Sequence, residues 1–280
     1  MKILVLGSRG MLGTDLVAEL ARAHDVTGKD IEDFDIASPL ECRGVIGQSG
    51  VDVVINAAAY TNVDGCETDE ARSFAVNADG VKNVALVCRE SGTKVVHFST
   101  DYIFDGTKGT PYLEGDATNP INAYGRSKRQ GEEYLRDISD KYLLIRTSWL
   151  YGRHGRNFVG AILERAEKAG RLEVVDDQTG SPTYTVDLAA AVRVLIEGDH
   201  EGVFHLTNRG FCTWYQFALK ILEYRDMGTV SIVPIQSAQL GRGARRPEYS
   251  VLSCRKFADT THRTIRFWQI ALKEYMERMG

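Results

Sequence analysis

Cysteine is scarce: Cys42, Cys66, Cys88, Cys212 and Cys254 are the only five in 280 residues, an odd number with no Cys-x-x-Cys pair. Such scatter argues against a disulfide framework, and the absence of Cys/His ligand spacing argues against a zinc site. The thiols read as reduced side chains in a cytosolic protein. The six histidines contain no ligand-spaced pair either, and no metal is expected. His97, inside the apolar run KVVHFS, reads as a buried histidine with its hydrogen bonds satisfied. Basic charge is not in excess: 34 Lys and Arg face 38 Asp and Glu, a net charge of −4. No basic stripe is available to neutralise a phosphate backbone, which argues against a nucleic-acid partner. Arg242, Arg245 and Arg246 do cluster, a grouping that suits a small phosphorylated ligand or solvent. No apolar run approaches the length of a membrane span. Met1-Lys2 leads straight into ILVLG, a strand pattern rather than a secretory leader. A soluble, cytoplasmic protein is expected.

What is present is apolar patterning. Hydrophobic residues make up 43% of the chain, enough for a large core in one domain or two. Residues 2–7, 52–58, 94–100 and 142–148 are β-branched and almost continuously apolar, as strands buried on both faces of a parallel sheet must be. Helical patterns fill 11–23, 70–91 and 123–136 between them. The alternation predicts an α/β fold, a doubly wound parallel Rossmann sheet with helices on both sides. After Trp149 the texture changes: a helix over 159–169, a strand at LEVVDD, then a loop and helix in GSPTYTVDLAAAVRVLIEG. Short strands follow at VFHLT and VSIVPI, with helices near 214–224 and 267–279. Residues 1–150 therefore read as one domain, to which the chain returns within 160–205. Residues 151–280 read mainly as a smaller α/β lobe that closes over a cleft.

Gly7-Ser-Arg-Gly10-Met-Leu-Gly13 follows the first strand and opens the first helix. Its G-x-x-G-x-x-G spacing is a relative of the dinucleotide fingerprint. Glycines permit the tight turn and the approach of backbone to pyrophosphate, and the helix N-terminus attracts the phosphate charge. In this strand–loop–helix context the motif marks residues 1–150 as an NAD(P)-binding domain. Asp30, ending the second strand, can accept from the adenosine ribose hydroxyls and favours NADH. Arg9 and Lys29 can attract the 2′-phosphate of NADPH. The charges conflict, so NADH and NADPH both stay open. Asp35 and Ile36 are placed to meet adenine, with a turn or capping role for Asp35 as the alternative.

Far downstream, NAYGRSK sets Tyr124 and Lys128 four residues apart, on one face of a helix. A surface pair is the plain reading of that spacing. The glycine loop suggests another. Reducing a ketone requires a hydride on carbon and a proton on oxygen, and an ammonium beside a phenol eases the phenol's ionisation.

With these motifs the chain resembles the extended short-chain dehydrogenase/reductase family, and within it the reductases that complete dTDP-L-rhamnose synthesis. The stretches carrying the resemblance are GSRGMLG, NAAAYTNVD (56–64), STDYIFDG (99–106), NAYGRSK, RTSWLYG (146–152), NFV (157–159), GSPTYTVDLA (180–189) and RRPEYSVL (245–252). The resemblance implies that Gly10, Met11, Leu12, Asp30, Asp35, Ile36, Ala58, Ala59, Tyr60 and Phe98 line the dinucleotide, with Tyr124 and Lys128 also touching it. It implies a catalytic trio of Thr100, Tyr124 and Lys128, with Thr100 at a strand end where it can hold the carbonyl oxygen. Asp101 and Trp149 would meet the sugar nucleotide and Arg246 its diphosphate. The implied reaction is NAD(P)H-dependent reduction of the 4-keto group of dTDP-4-dehydro-L-rhamnose or a similar sugar nucleotide, in surface-polysaccharide biosynthesis, by a possible homodimer. Some members dimerise through magnesium held by acidic side chains; only Asp15 and Asp187 are candidates here, so the metal is not carried over. Two alternatives stand beside reduction. Sugar-nucleotide epimerases and dehydratases of the same family are one; the dehydratases place Asp-Glu directly after the threonine, whereas Thr100 precedes Asp101 and Tyr102, which favours simple reduction. A non-catalytic, NADP-binding role like that of the regulatory subunit of methionine adenosyltransferase stays open, and turnover would distinguish it.

Overall fold

In the computed structural model, which describes residues 1–279, the apolar runs assemble into one parallel sheet of six strands. β1 (Lys2–Leu6), β2 (Asp25–Lys29), β3 (Val53–Asn56), β4 (Lys94–Thr100) and β5 (Tyr142–Thr147) are joined by a sixth strand, Gly202–His205. Their order across the sheet is sixth strand, β5, β4, β3, β1, β2. β3 and β4 are buried at every residue, which is why their sequences are continuously apolar instead of alternating. β2 closes an edge and is mostly exposed, which accounts for its polar sequence DVTGK.

Side chains alternate between the two faces, as the period of a strand requires. Ile3, Val5, Ile55 and Ile145 enter one core layer with Leu12, Leu16 and Leu20 of α1 (Met11–Leu20) and Leu188, Val192 and Leu195 of the helix Thr185–Glu197. Leu4, Leu6, Val54 and Leu144 enter the other, against Val81 and Val84 of the helix Gly80–Ser91 and Leu135 of the helix Ala123–Ile138. From β1 the chain winds outward to β2 and then crosses to β3 on the other side. The carboxyl ends of β1 and β3 thus border the crevice in which doubly wound sheets take their ligands.

Two features depart from the sequence pattern. The helix expected over 70–91 is divided into Glu70–Phe74, a π-helical turn Ala75–Asp79 and Gly80–Ser91. Buried Asn77 in that turn accepts from the Tyr60 amide at 2.9 Å and donates to the Tyr60 carbonyl at 3.0 Å, so the irregular turn anchors the loop after β3. The run VFHLT, expected in the second lobe, instead supplies the sixth strand of the central sheet, with Phe204 paired to Ile145 of β5.

A second core gathers Tyr151, Val159, Ile162, Phe217, Ile221 and Leu272. Its framework is the parallel pair Arg171–Val175 and Ser231–Ile235 with the helices Phe158–Lys168, Trp214–Glu223 and Trp268–Met279. The helix at Trp214 starts in a capping box, where Thr213 accepts from the Gln216 amide at 3.1 Å and Gln216 accepts from the Thr213 amide at 3.0 Å. Among the described residues, no helix is long and apolar enough to cross a membrane.

Candidate active site

The glycine loop turns at Gly7, whose φ of +74° a side chain would resist. The Gly10 amide donates to the Gly7 carbonyl at 3.1 Å. A Cβ at residue 13 would lie 2.0 Å from that same carbonyl oxygen, so the start of α1 packs this close only as glycine. The loop borders a cavity of about 290 Å³ that also takes in Asp30, Asp35, Ile36, Ala58 and Tyr60. Free amides at a helix N-terminus, with no side chain in the way, fit the pyrophosphate of a dinucleotide. Asp30 ties the cavity together: its carboxylate accepts from the Arg9 amide at 2.7 Å and from the Ile31 amide at 2.8 Å. The Arg9 guanidinium lies outward on Glu32 at 2.9 Å. Exposed pairs of this kind are worth about 0–1 kcal/mol, so Arg9 can turn towards a phosphate at little cost. Asp35 borders the cavity while accepting from the Ala37 amide at 2.9 Å, so its turn role is real as well. Arg72 also lines this cavity, 4.9 Å above the Tyr60 ring, and no local pattern marked it.

A second cavity, of about 480 Å³, starts at Gly10, Met11, Leu12 and Gly13 and reaches Phe98, Thr100, Asp101, Tyr124, Lys128 and Trp149. The Tyr124 helix begins at Asn122, whose side chain accepts from the Gly125 amide at 2.7 Å and donates to the Arg245 carbonyl at 2.7 Å. Residue 125 must be glycine, because a Cβ there would sit 2.1 Å from the Tyr102 carbonyl oxygen. That contact presses the helix onto the end of β4. Lys128 is 2% exposed; its Nζ donates to the Phe98 carbonyl at 2.6 Å and lies 3.4 Å from His97 Nε2. Burial pulls the Lys128 ammonium down to about 8, while the Glu132 carboxylate works in the opposite direction.

The phenol differs from the sequence expectation. Burial pushes Tyr124 above the usual tyrosine range; the hydroxyl of Thr100 opposes this and the Asp101 charge adds to it. The Lys128 ammonium donates to the Phe98 carbonyl rather than to the phenol. Tyr124 therefore keeps its proton at neutrality, as a donor should. Thr100 Oγ1 donates to Asp101 at 3.0 Å and accepts from the Tyr102 amide at 3.1 Å. Asp101 also accepts from Ser250 Oγ at 2.5 Å, and burial raises its carboxyl to about 7. Ser250 stands within RRPEYSVL, yet only the fold brings it to Asp101. His97 is buried as expected but not fully satisfied: Nε2 lies beside Lys128, Nδ1 has no hydrogen-bond partner among the described residues, and burial holds the ring neutral.

Trp149 adopts φ +49°, a left-handed conformation that costs a bulky residue on the order of 1–3 kcal/mol. Its ring stacks on Trp214 at 3.5 Å and covers Gly180, where a Cβ would come within 2.5 Å of it. Both tryptophans line the second cavity. Trp214 also borders a third, of about 240 Å³, with Phe158, Arg165, Val174, Leu240 and Arg242. Arg246 is elsewhere engaged: its guanidinium grips Asp64 at 2.7 and 3.2 Å and donates to the Ala244 carbonyl at 2.8 Å. Besides Lys128, the cations that border the second and third cavities are Arg156, Arg165 and Arg242, and Arg242 is pulled down by burial and then by the charge of Arg246. Asp187 accepts from Asn208 at 2.7 Å and pairs with Arg266 at 2.8 Å, and Asp15 accepts from Thr185. Among the described residues, no three His, Cys, Asp or Glu side chains converge as a metal site.

A carbonyl lodged beside Tyr124 would face whatever the glycine loop holds, which is the working layout of a nicotinamide-dependent ketoreductase of the extended short-chain type. The chain belongs to the family described as RmlD substrate binding domain, whose model matches residues 1–280. It is 40% identical to the spore coat polysaccharide biosynthesis protein SpsK of Bacillus subtilis over 99% of this chain and 97% of the relative. It is 39% identical to a dTDP-4-keto-6-deoxy-D-glucose reductase of Streptomyces niveus over 97% of this chain and 95% of the relative. A dTDP-4-dehydrorhamnose reductase of Bacillus anthracis, solved in complex with NADP, superposes with a TM-score of 0.96 at 34% identity, covering 99% of each chain.

Proposed function

We propose that this protein catalyses NAD(P)H-dependent reduction of the 4-keto group of dTDP-4-dehydro-L-rhamnose, or a closely similar dTDP-4-keto-6-deoxy sugar, to the alcohol. The observation that carries the reading is one cavity lined by both the glycine loop and the Thr100–Tyr124–Lys128 set. A bound reduced nicotinamide supplies a hydride to the sugar carbon. Tyr124 donates its phenolic proton to the C4 oxygen. Thr100 holds that oxygen, turning its hydroxyl away from Asp101 to do so, and Asp101 and Trp149 orient the sugar. Lys128 binds the nicotinamide ribose with its ammonium. Arg156, Arg165 and Arg242 meet the diphosphate, and the apolar wall of Phe158, Val174 and Leu240 takes the base. In this reading residues 1–150 with the returning segment 185–205 form the cofactor lobe, and the rest mainly the substrate lobe. The work is placed in the cytoplasm, where reduced cofactor and sugar nucleotide are both available.

Turnover tests the reading. Purified protein given NADPH or NADH with the 4-keto sugar nucleotide should oxidise the cofactor and release the alcohol in equal amounts. Cofactor binding without oxidation would leave the non-catalytic role instead.

The diphosphate assignment has its own test. Arg242→Ala should raise the sugar-nucleotide KM about tenfold or more, with cofactor affinity unchanged, because a charge-assisted contact is worth about 1.5–3 kcal/mol. Arg246→Ala removes the grip on Asp64 and should loosen the loop without that selective effect. A KM rise confined to the Arg246 variant would return the diphosphate to Arg246.

A further inference from the structure

Glu132 and Arg146 form a charged pair between helix and sheet that the reaction as described leaves unused. Glu132 is 2% exposed and Arg146 1%. The guanidinium donates twice to the carboxylate, through Nε at 3.0 Å and Nη2 at 2.7 Å. Its Nη1 donates to the Glu114 carbonyl at 3.1 Å and lies 3.4 Å from Nε2 of His205. That histidine donates through Nδ1 to the Tyr112 carbonyl at 3.1 Å and is kept neutral by burial. A buried ion pair is often no more stabilising than apolar residues of the same shape, so stability alone does not account for it. Its position does. Glu132 follows Lys128 by four residues, one turn along the same buried face of the helix. Arg146 sits on β5, in register beside Ser99 of β4, next to the Phe98 carbonyl that receives the Lys128 ammonium.

We propose that Glu132 and Arg146 are positioning residues for the reduction, a buried charge pair that holds Lys128 as an ammonium at the cofactor face of the cavity. Neither touches substrate or cofactor; both act through Lys128, and the inference rests on reading Lys128 as the cofactor-binding cation. The signs oppose one another. A carboxylate one turn away favours the charged lysine, and a guanidinium behind that carboxylate offsets part of its field. The groups that meet the ammonium are His97 and the Phe98 carbonyl on β4, while Asp101 at the end of β4 and Tyr124 on its own helix line the same cavity. On the outer side, Arg136 reaches Glu132 at 3.2 Å and tempers it further.

The pair is tested by the alkaline limb of kcat/KM, measured together with the pH dependence of NADPH affinity. Glu132→Gln keeps the shape and deletes the negative charge, so both profiles should move to lower pH by on the order of one unit. Arg146→Met takes away the guanidinium that keeps this buried carboxylate ionised, so Glu132 takes up a proton and both profiles should again move to lower pH, by no more than in Glu132→Gln. The double variant should be shifted no further than Glu132→Gln alone. Glu132→Asp keeps the charge but withdraws it by one methylene, and should give a smaller downward shift even if the neutral variants fail to fold. Profiles that stay put in folded Glu132 variants, or that move to higher pH, would overturn the proposal and leave the pair as scaffold. Absence of turnover in the native protein would sink the proposed reaction instead, while the affinity profile would still report on Lys128.

Discussion

Replacing Tyr124 by phenylalanine is expected to lower turnover by about 10²–10⁴-fold, the usual worth of a placed general acid, with cofactor affinity nearly intact. The substitution removes one oxygen and leaves the ring in its edge-to-face contact with Tyr102, at 5.9 Å between centroids. The main-chain carbonyl of residue 124 still accepts from Ser127 Oγ, at 2.8 Å in the native protein, so the helix start should survive. Thr100 can hold the C4 oxygen but is a far weaker acid than a phenol, and the Lys128 ammonium is directed at the Phe98 carbonyl, so neither replaces the lost proton donor. Single-turnover rates and cofactor titrations of the two proteins decide the matter. Near-native turnover in the phenylalanine variant would reduce Tyr124 to a helix aromatic.

Lys128 is expected to make activity and stability respond to pH in opposite senses. In the free enzyme its ammonium is pulled down to about 8, so kcat/KM should fall as pH rises through that value. The stability sign is the reverse. From about 8 up to the ordinary lysine value of 10.5 the unfolded chain binds the proton and the folded chain does not, so this group alone makes the fold more stable as pH rises. The full effect is about 3 kcal/mol, and it is absent below pH 8, where both states are protonated. Buried thiols work against it at higher pH. Cys42 and Cys88 are pushed up to about 12, and above their ordinary value of 9.0 ionisation favours the unfolded chain. The gain should therefore be read between pH 8 and 9, as a rising urea midpoint. Lys128→Met should abolish both the alkaline decline and the stability rise, and should weaken cofactor binding. A rise that persists in that variant would belong to another group.

The parallel sheet is legible in the sequence because strands covered on both faces leave an unbroken apolar record, as in VVIN and KVVHFST. The edge strand DVTGK leaves a weaker one, and its place is given by the glycine loop before it and Asp30 after it. VFHLT carries the strand record but not an address, since nothing local distinguishes pairing with β5 from pairing within the second lobe. The site divides in the same way. Gly7, Gly10 and Gly13, and Tyr124 with Lys128, announce themselves by spacing along single elements. Arg242 and Arg246 do not: they are near neighbours in one loop, and the one that grips Asp64 is decided by a residue 182 positions away from Arg246. Trp214 and Arg165 come from the second lobe and have no motif of their own. The state of the Tyr124 phenol escaped spacing arguments as well, because burial outweighs the nearby charges that sequence can suggest.

The sixth strand and the helix Thr185–Glu197 make the two lobes an interlaced object rather than two beads on a string. The chain leaves the sheet after β5, comes back for residues 185–205, departs again, and sends Phe257 of the helix Arg255–Thr261 into the sheet's core. A contiguous block that could be excised as a substrate module therefore does not exist. Cutting after residue 150 would strip α1 of Leu188 and Val192 and leave β5 as a bare edge. A whole-lobe exchange in this chain would therefore cut through the sheet and its covering helix rather than between them. On the proposed reading, a new sugar preference is reached by changing single side chains on cavity walls such as Trp149, Trp214 and Arg242, with the interlaced sheet left intact.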